Sequence, residues 1–136
     1  MAEFATSSAA TAQLRVLVAD DNVHGAEMLC AVLESLGCAT AVAFDGAQGL
    51  AKVDLFDPHL ALIDLEMPGM DGCEVARHLR VDPERRSVRL VCLTGRSQLE
   101  DKRLCLAAGF NDFFTKPMMP HSLVELVARS NAALLR

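Results

Sequence analysis

The sequence predicts an α/β domain built on one parallel sheet with helices on both faces. Two observations carry this. Short apolar runs alternate five times with stretches of helical periodicity over residues 14–136. Two of those runs, 60–63 and 90–93, are continuously apolar, as suits central strands buried on both sides. The elements follow in order. "LRVLVA" (14–19) is a β-branched strand stopped by Asp20 and Asp21. "VHGAEMLCAVLESLG" is a helix with Ala26, Leu29, Cys30, Leu33 and Leu36 on one face and Gly37 as its stop. Gly25 stands inside it at a propensity cost of about 1 kcal/mol. "CATAVAF" (38–44) is the second strand, and "DGAQGLAKVDLF" a short helix broken before Pro58. "HLALID" (59–64) is the third strand, and "CEVARHLRVD" a helix ending near Asp82-Pro83. "VRLVCLT" (88–94) is the fourth strand, and "SQLEDKRLCLAAG" a helix stopped at Gly109. "NDFFT" (111–115) is the fifth strand. "PHSLVELVARSNAALL" closes the chain as a helix, with Pro120 in its first turn and Leu123, Leu126, Val127 and Leu134 on one side.

The totals agree with a single domain. The chain has 136 residues, 51% of them hydrophobic, enough to fill one core. No apolar run approaches the ~20 residues of a membrane span. A net charge of -5 argues against a general nucleic-acid binder and suits a protein that binds cations. The opening "MAEFATSSAATAQ" has no basic region followed by an apolar stretch, so it reads as a flexible tail over 1–13 and not as a signal peptide. The five cysteines are Cys30, Cys38, Cys73, Cys92 and Cys105, with no metal-like pair spacing. They read as buried free thiols of a cytoplasmic protein. Cys73, beside a loop, is the best placed for a redox role.

In an open α/β sheet, ligands bind beyond the carboxyl ends of the strands. The residues expected there are Asp20 and Asp21, Asp64, Thr94, and Thr115, Lys116 and Pro117. Three carboxylates brought together repel one another, and a hard cation or a nearby lysine relieves the repulsion. Mg²⁺ suits such a set, because it takes oxygen ligands and keeps several waters. The loop "EMPGMDG" after Asp64 can lend a backbone carbonyl. A carboxylate held beside a cation and an ammonium is equipped to act as a nucleophile toward phosphorus. Singly, each residue has an ordinary reading: an aspartate that caps a helix, a threonine in a turn, a surface lysine. Their order at successive strand ends is what points to a site.

At these residues the sequence resembles the receiver domain of two-component response regulators. The stretches "VLVADDN", "LALIDLEMPGMDG", "LTG" and "DFFTKP" carry the resemblance, which covers essentially everything after the tail. It implies a flavodoxin-like (βα)5 sheet in strand order 2-1-3-4-5, filling residues 14–136. It implies that Asp64 is the phosphoacceptor, with Asp21 a direct Mg²⁺ ligand and Asp20 its partner, often through water. Glu66 matches the position whose backbone carbonyl meets the metal. Thr94 matches the switch hydroxyl, Lys116 the phosphate-binding lysine and Phe113 the aromatic switch position. The resemblance also implies a cis bond before Pro117. The donor would be a sensor histidine kinase or a histidine phosphotransfer protein. The output would be altered affinity for a downstream protein or for a second copy, without contact to nucleic acid or insertion into a membrane. Such a receiver either stands alone or is cut from a larger chain such as a hybrid kinase. His24, His59, His78 and His121 are scattered and make no phosphodonor site.

Two features depart from the usual expectation. Glu66 sets an acidic side chain beside the site, able to meet the metal or hinder hydrolytic water, which implies an altered rate of dephosphorylation. Phe113 lacks the hydroxyl that a tyrosine would offer. Three other functions compete. An aspartate-nucleophile, Mg²⁺-dependent phosphatase wants a second aspartate two residues after Asp64, where this chain has Glu66. A receiver that has lost phosphorylation and serves only for binding would lack the acidic pair, Asp64 or Lys116, all of which are present. A flavin binder would want a Ser/Thr/Gly-rich phosphate loop where "DDNVHG" stands.

Overall fold

The computed structural model describes residues 13–95 and 99–134. Residues 1–12 of the expected tail, the expected helix start at Ser97 and the last-helix residue Leu135 lie outside the described residues. The strands are β1 (Arg15–Ala19), β2 (Ala39–Ala43), β3 (Leu60–Asp64), β4 (Arg89–Thr94) and β5 (Asp112–Thr115). The helices are α1 (Val23–Ser35), α2 (Gly46–Phe56), α3 (Gly72–Val81), α4 (Leu99–Ala108) and α5 (Pro120–Leu134). All pairings are parallel, in the order β2-β1-β3-β4-β5. The alternation of elements therefore yields the expected doubly wound sheet. No described helix is long and apolar enough to cross a membrane.

Strand periodicity divides the core in two. Leu17, Ala19, Ala61, Ile63, Leu90 and Cys92 point to one face, where Val75, Ala76 and Leu79 of α3 and Cys105 of α4 cover them. Val16, Val18, Leu60, Leu62, Val91 and Leu93 point to the other, against Ala26, Cys30 and Leu33 of α1 and Leu123, Leu126 and Val127 of α5. All five residues of β3 are buried, which explains why that run carries no alternation. The edge strands β2 and β5 are only half-buried along most of their length.

Each helix start is specified locally. Asn22 caps α1 by accepting from the Gly25 N–H at 3.0 Å, so Gly25 lies in the first turn. Asp45 caps α2. Asp71 and Glu74 form a reciprocal capping box on α3, each side chain accepting from the other's N–H at 2.9 and 3.1 Å.

Two side-chain fasteners hold the far parts of the sheet. The Arg80 guanidinium at the end of α3 donates to the carbonyls of Gly109, Arg86 and Val88 and to Asn111 Oδ1, each at 2.7 Å. Gly109 has φ +114 and must lack a side chain, because a Cβ there would run into the Arg80 stem. At the amino edge, the Arg15 N–H donates to His59 Nδ1 at 2.9 Å, while the His59 N–H donates to the Arg15 carbonyl at 2.9 Å. Arg15 also reaches Asp57, and Arg85 reaches both Asp57 and Asp54.

Burial, followed by the Arg15 charge, lowers the His59 pKa below its ordinary 6.5. The folded state thus favours the neutral ring that can accept at Nδ1. His59 contributes stability that is full above pH 6.5 and falls as acid approaches the lowered folded value. In urea titrations, wild type should lose its advantage over His59→Gln on acidification through this window. A difference constant with pH would refute the coupling.

Candidate functional site

Every strand end that the sequence marks with a polar residue meets at the carboxyl edge. After β1, the Asp20 N–H continues the ladder to the Ala43 carbonyl at 2.9 Å. Its Oδ1 accepts from the Asn22 N–H at 2.9 Å, which turns the chain into α1 and leaves Asp21 exposed. Asp64 closes β3 opposite Leu93 and is 5% exposed. The next N–H, of Leu65, is still bound to the Leu93 carbonyl at 2.9 Å, so the aspartate stands on a rigid strand.

The loop after Asp64 folds back tightly. The Glu66 N–H donates to Asp64 Oδ1 at 3.3 Å, and the Gly72 N–H to the Leu65 carbonyl at 3.0 Å. A Cβ on Gly72 would collide with the Asp64 backbone carbonyl, so only glycine lets α3 start this close to the strand.

Lys116 joins the carboxylates. Its Nζ lies 2.7 Å from Asp20 Oδ2 and 3.4 Å from Asp64 Oδ2. The chain is delivered there by β5, by the Lys116 N–H bound to the Thr94 carbonyl at 2.7 Å, and by a cis Lys116–Pro117 bond. Thr94 is fully buried at the end of β4, one strand from Asp64. Phe113 is half-buried opposite Cys92 and packs on the α3–α4 side of the sheet.

One carboxylate oxygen from each of Asp20, Asp21 and Asp64 lies within 4.8 Å of the others, a grouping that can hold a metal ion. All three donors are hard oxygens, which fits Mg²⁺ better than a thiophilic metal. The Glu66 side chain is exposed and outside this group. Electrostatics show the strain of the arrangement. Burial, then the Asp20 charge, pushes Asp64 from 3.8 up to about 6, against the opposing pull of Lys116 and the Glu66 N–H. Burial opposes the charge on Lys116, but the hydrogen bond to Asp20 and the two carboxylate charges outweigh it and raise its pKa. The site is thus short of positive charge. An open cavity of about 580 Å³ adjoins it, lined by Asp21, Glu66, Asp71, Cys73 and Arg77 among others.

The structure brings Asp20, Asp21, Asp64 and Lys116 into one cluster, with Thr94 at the same edge. Sequence reasoning missed the part played by Gly72 and Asn22. The Asp71-Gly72 pair was visible as a loop signal, but the collision that demands glycine depends on where α3 meets β3.

The doubly wound sheet carries an acidic, lysine-bridged carboxyl edge, and its likeness to known proteins fixes the class. Residues 16–128 match the family model for the response regulator receiver domain, and the chain belongs to that family. It is 44% identical over 126 residues to the DNA-binding response regulator MtrA of Mycobacterium tuberculosis H37Rv, covering 93% of this chain and 53% of that protein. The chain thus spans about half the length of the curated relatives it matches first. Among solved structures, a CheY-like receiver domain protein from Methanospirillum hungatei JF-1 superposes with TM-score 0.82 at 27% identity, covering 90% of this chain and 96% of the other. The signal receiver domain of a histidine kinase from Syntrophus aciditrophicus gives TM-score 0.82 at 31% identity, with coverages of 90% and 92%.

Proposed function

We propose that residues 14–136 form a phosphoacceptor receiver domain that takes a phosphoryl group from a phosphohistidine onto Asp64. The observation that carries this reading is the buried Asp64 carboxylate, held between Asp20 and Lys116 with its pKa pushed up to about 6. Such a group is fixed in place and poorly compensated, so it gains from any added cation. Asp20, Asp21, Asp64 and the backbone carbonyl of Glu66 would hold Mg²⁺. When bound, the ion supplies positive charge against the carboxylates and the phosphoryl oxygens.

The remaining work falls to the chain itself. An Asp64 oxygen attacks phosphorus, an O–P bond forms, and the P–N bond to the donor imidazole breaks with its electrons going to nitrogen. Lys116, 3.4 Å from Asp64 Oδ2, neutralises charge gathering on the phosphoryl oxygens. The cluster needs no general base, because a carboxylate is already a nucleophile when ionised. The domain turns over no substrate beyond its own phosphorylation and slow dephosphorylation.

Phosphorylation adds roughly -1.5 to -2 charge at a buried site. The Thr94 hydroxyl then turns toward the phosphoryl group, and Phe113 moves into the volume released. The face made by α4, β5 and α5 changes as a result, which alters affinity for a protein target or a second copy. The donor is a histidine kinase or a histidine phosphotransfer protein, and the domain works in the cytoplasm. The charge of -5 supports binding to proteins and cations over direct contact with nucleic acid.

Intact-mass spectrometry after incubation with acetyl phosphate tests the acceptor role. The expected adduct is one phosphoryl group, present only with Mg²⁺ and absent in Asp64→Asn. No adduct, with beryllofluoride titration excluding rapid hydrolysis, would sink the reading. Glu66→Ala should shorten the life of the adduct several-fold, because the exposed carboxylate at the cavity repels hydroxide and crowds the attacking water. An unchanged decay rate would remove Glu66 from the account.

A further inference from the structure

Three cysteines form a ladder beneath the cavity, and the phosphoryl reading makes no use of them. Cys92 lies on β4, two residues before Thr94, and Cys105 lies on α4. Both are fully buried, and their sulfurs are 2.9 Å apart. Cys73, at the start of α3, is 7% exposed and lines the open cavity. Its sulfur lies 4.0 Å from the Leu104 carbonyl, beside Cys105, and the two thiols are close enough to influence each other's titration. The ladder therefore runs from solvent inward: Cys73, Cys105, Cys92. A disulfide spans about 2.05 Å, so the two inner sulfurs have less than ~1 Å left to close.

We propose that Cys92 and Cys105 are a disulfide-forming pair, oxidised by a hydroperoxide that reacts first at Cys73. The Cys73 sulfur takes an oxygen from the hydroperoxide: the O–O bond breaks, an S–O bond forms, and an alcohol or water leaves. Cys105 then attacks the Cys73 sulfur. An S–S bond forms, the S–O bond breaks, and water leaves with the Cys105 proton. Cys92 next attacks the Cys105 sulfur. The Cys92–Cys105 bond forms, the Cys73–Cys105 bond breaks, and the Cys92 proton passes to Cys73. The net change is two thiols and one hydroperoxide giving one disulfide, one alcohol or water, and one water. Cys73 returns to its reduced state, ready for the same role.

Burial pushes Cys73 up to about 11, so its thiolate fraction at neutral pH is small and the reaction is slow. The consequence is a sensor of sustained oxidant and not of brief pulses. The bond would tie α4 to the strand that carries Thr94. The cysteine geometry alone supports this chemistry, whether or not Asp64 accepts a phosphoryl group.

The test treats the folded protein with tert-butyl hydroperoxide, blocks the remaining thiols in denaturant, and maps peptides without reduction. Two of the five thiols should disappear, a Cys92–Cys105 linked peptide should appear, and dithiothreitol should restore both thiols. Cys73→Ser should slow the linkage by roughly tenfold or more, because the oxidant must then reach Cys92 or Cys105 directly, and both are fully buried. Cys105→Ala should give no link and leave a sulfenic acid on Cys73 that dimedone captures. Cys92→Ala, a second variant should the first not fold, should stop at a Cys73–Cys105 link. Absence of the Cys92–Cys105 peptide in wild type overturns the pair. An unchanged rate in Cys73→Ser overturns the route.

Discussion

Asp64→Asn should stabilise the metal-free protein at neutral pH by on the order of 2–3 kcal/mol, each tenfold change in proton affinity being about 1.4 kcal/mol. The reason is linkage. The Asp64 carboxyl ordinarily ionises at 3.8 but is pushed to about 6 in the fold, first by burial and then by the Asp20 charge. Below pH 3.8 both folded and unfolded chains hold the proton, and the group costs nothing. Between 3.8 and about 6 the folded chain retains a proton that the unfolded chain releases, so stability falls as pH rises. Above that window the full cost is present. Urea titrations in the presence of a chelator should therefore show Asp64→Asn matching wild type near pH ~4 and exceeding it at pH ~7.5. Mg²⁺ should then raise the wild type more than the variant. Equal stability at the higher pH would show that Asp64 carries no such burden.

Arg80→Met should cost about 2–4 kcal/mol, the largest loss expected from any partly exposed side chain. Four acceptors converge on one guanidinium at 2.7 Å, three of them backbone carbonyls. Hydrogen bonds to a charged donor contribute roughly 1.5–3 kcal/mol each, but water replaces some of them after truncation, so the sum is not reached. Methionine keeps much of the apolar stem that lies over Gly109, which confines the loss to the hydrogen bonds. Arg80→Lys should recover less than half, because one ammonium cannot span carbonyls from α3–β4, α4–β5 and Asn111 together. A fall in the urea midpoint of Arg80→Met no larger than that of Arg80→Lys would refute the staple.

The frame of the fold was legible because it is written in periodicity. The apolar run at 60–63 read as a strand buried on both sides, and Asp64 at its end stood out as the polar exception. Lys116-Pro117 stood out in the same way after β5. The capping residues Asn22, Asp45 and Asp71 went unread, although each needs only its own helix start. What escaped the sequence was contact between distant segments. Arg80 meets Asn111 across 31 positions, and nothing in "HLRVD" announces a guanidinium that replaces several lost backbone partners. Cys92 and Cys105 stood among the expected buried thiols, but their 2.9 Å approach depends on how α4 lies on β4. Gly72 looked like an ordinary turn glycine until the Asp64 carbonyl appeared beneath it. Register and helix placement decide such contacts, and a one-dimensional pattern does not encode them.

The fasteners and the reactive groups occupy opposite rims of the sheet. Arg15, His59, Asp57 and Arg85 knit the amino rim, while Asp20, Asp64, Thr94 and Lys116 crowd the carboxyl rim. For anyone building a reporter from this domain, that geometry assigns the attachment points. Leu55, 83% exposed at the amino-rim end of α2, is a place to graft a dye or tether that rides on the rigid chassis as a fixed reference. A second label on α4 would then read displacement against it, with the chemistry at Asp64 left untouched.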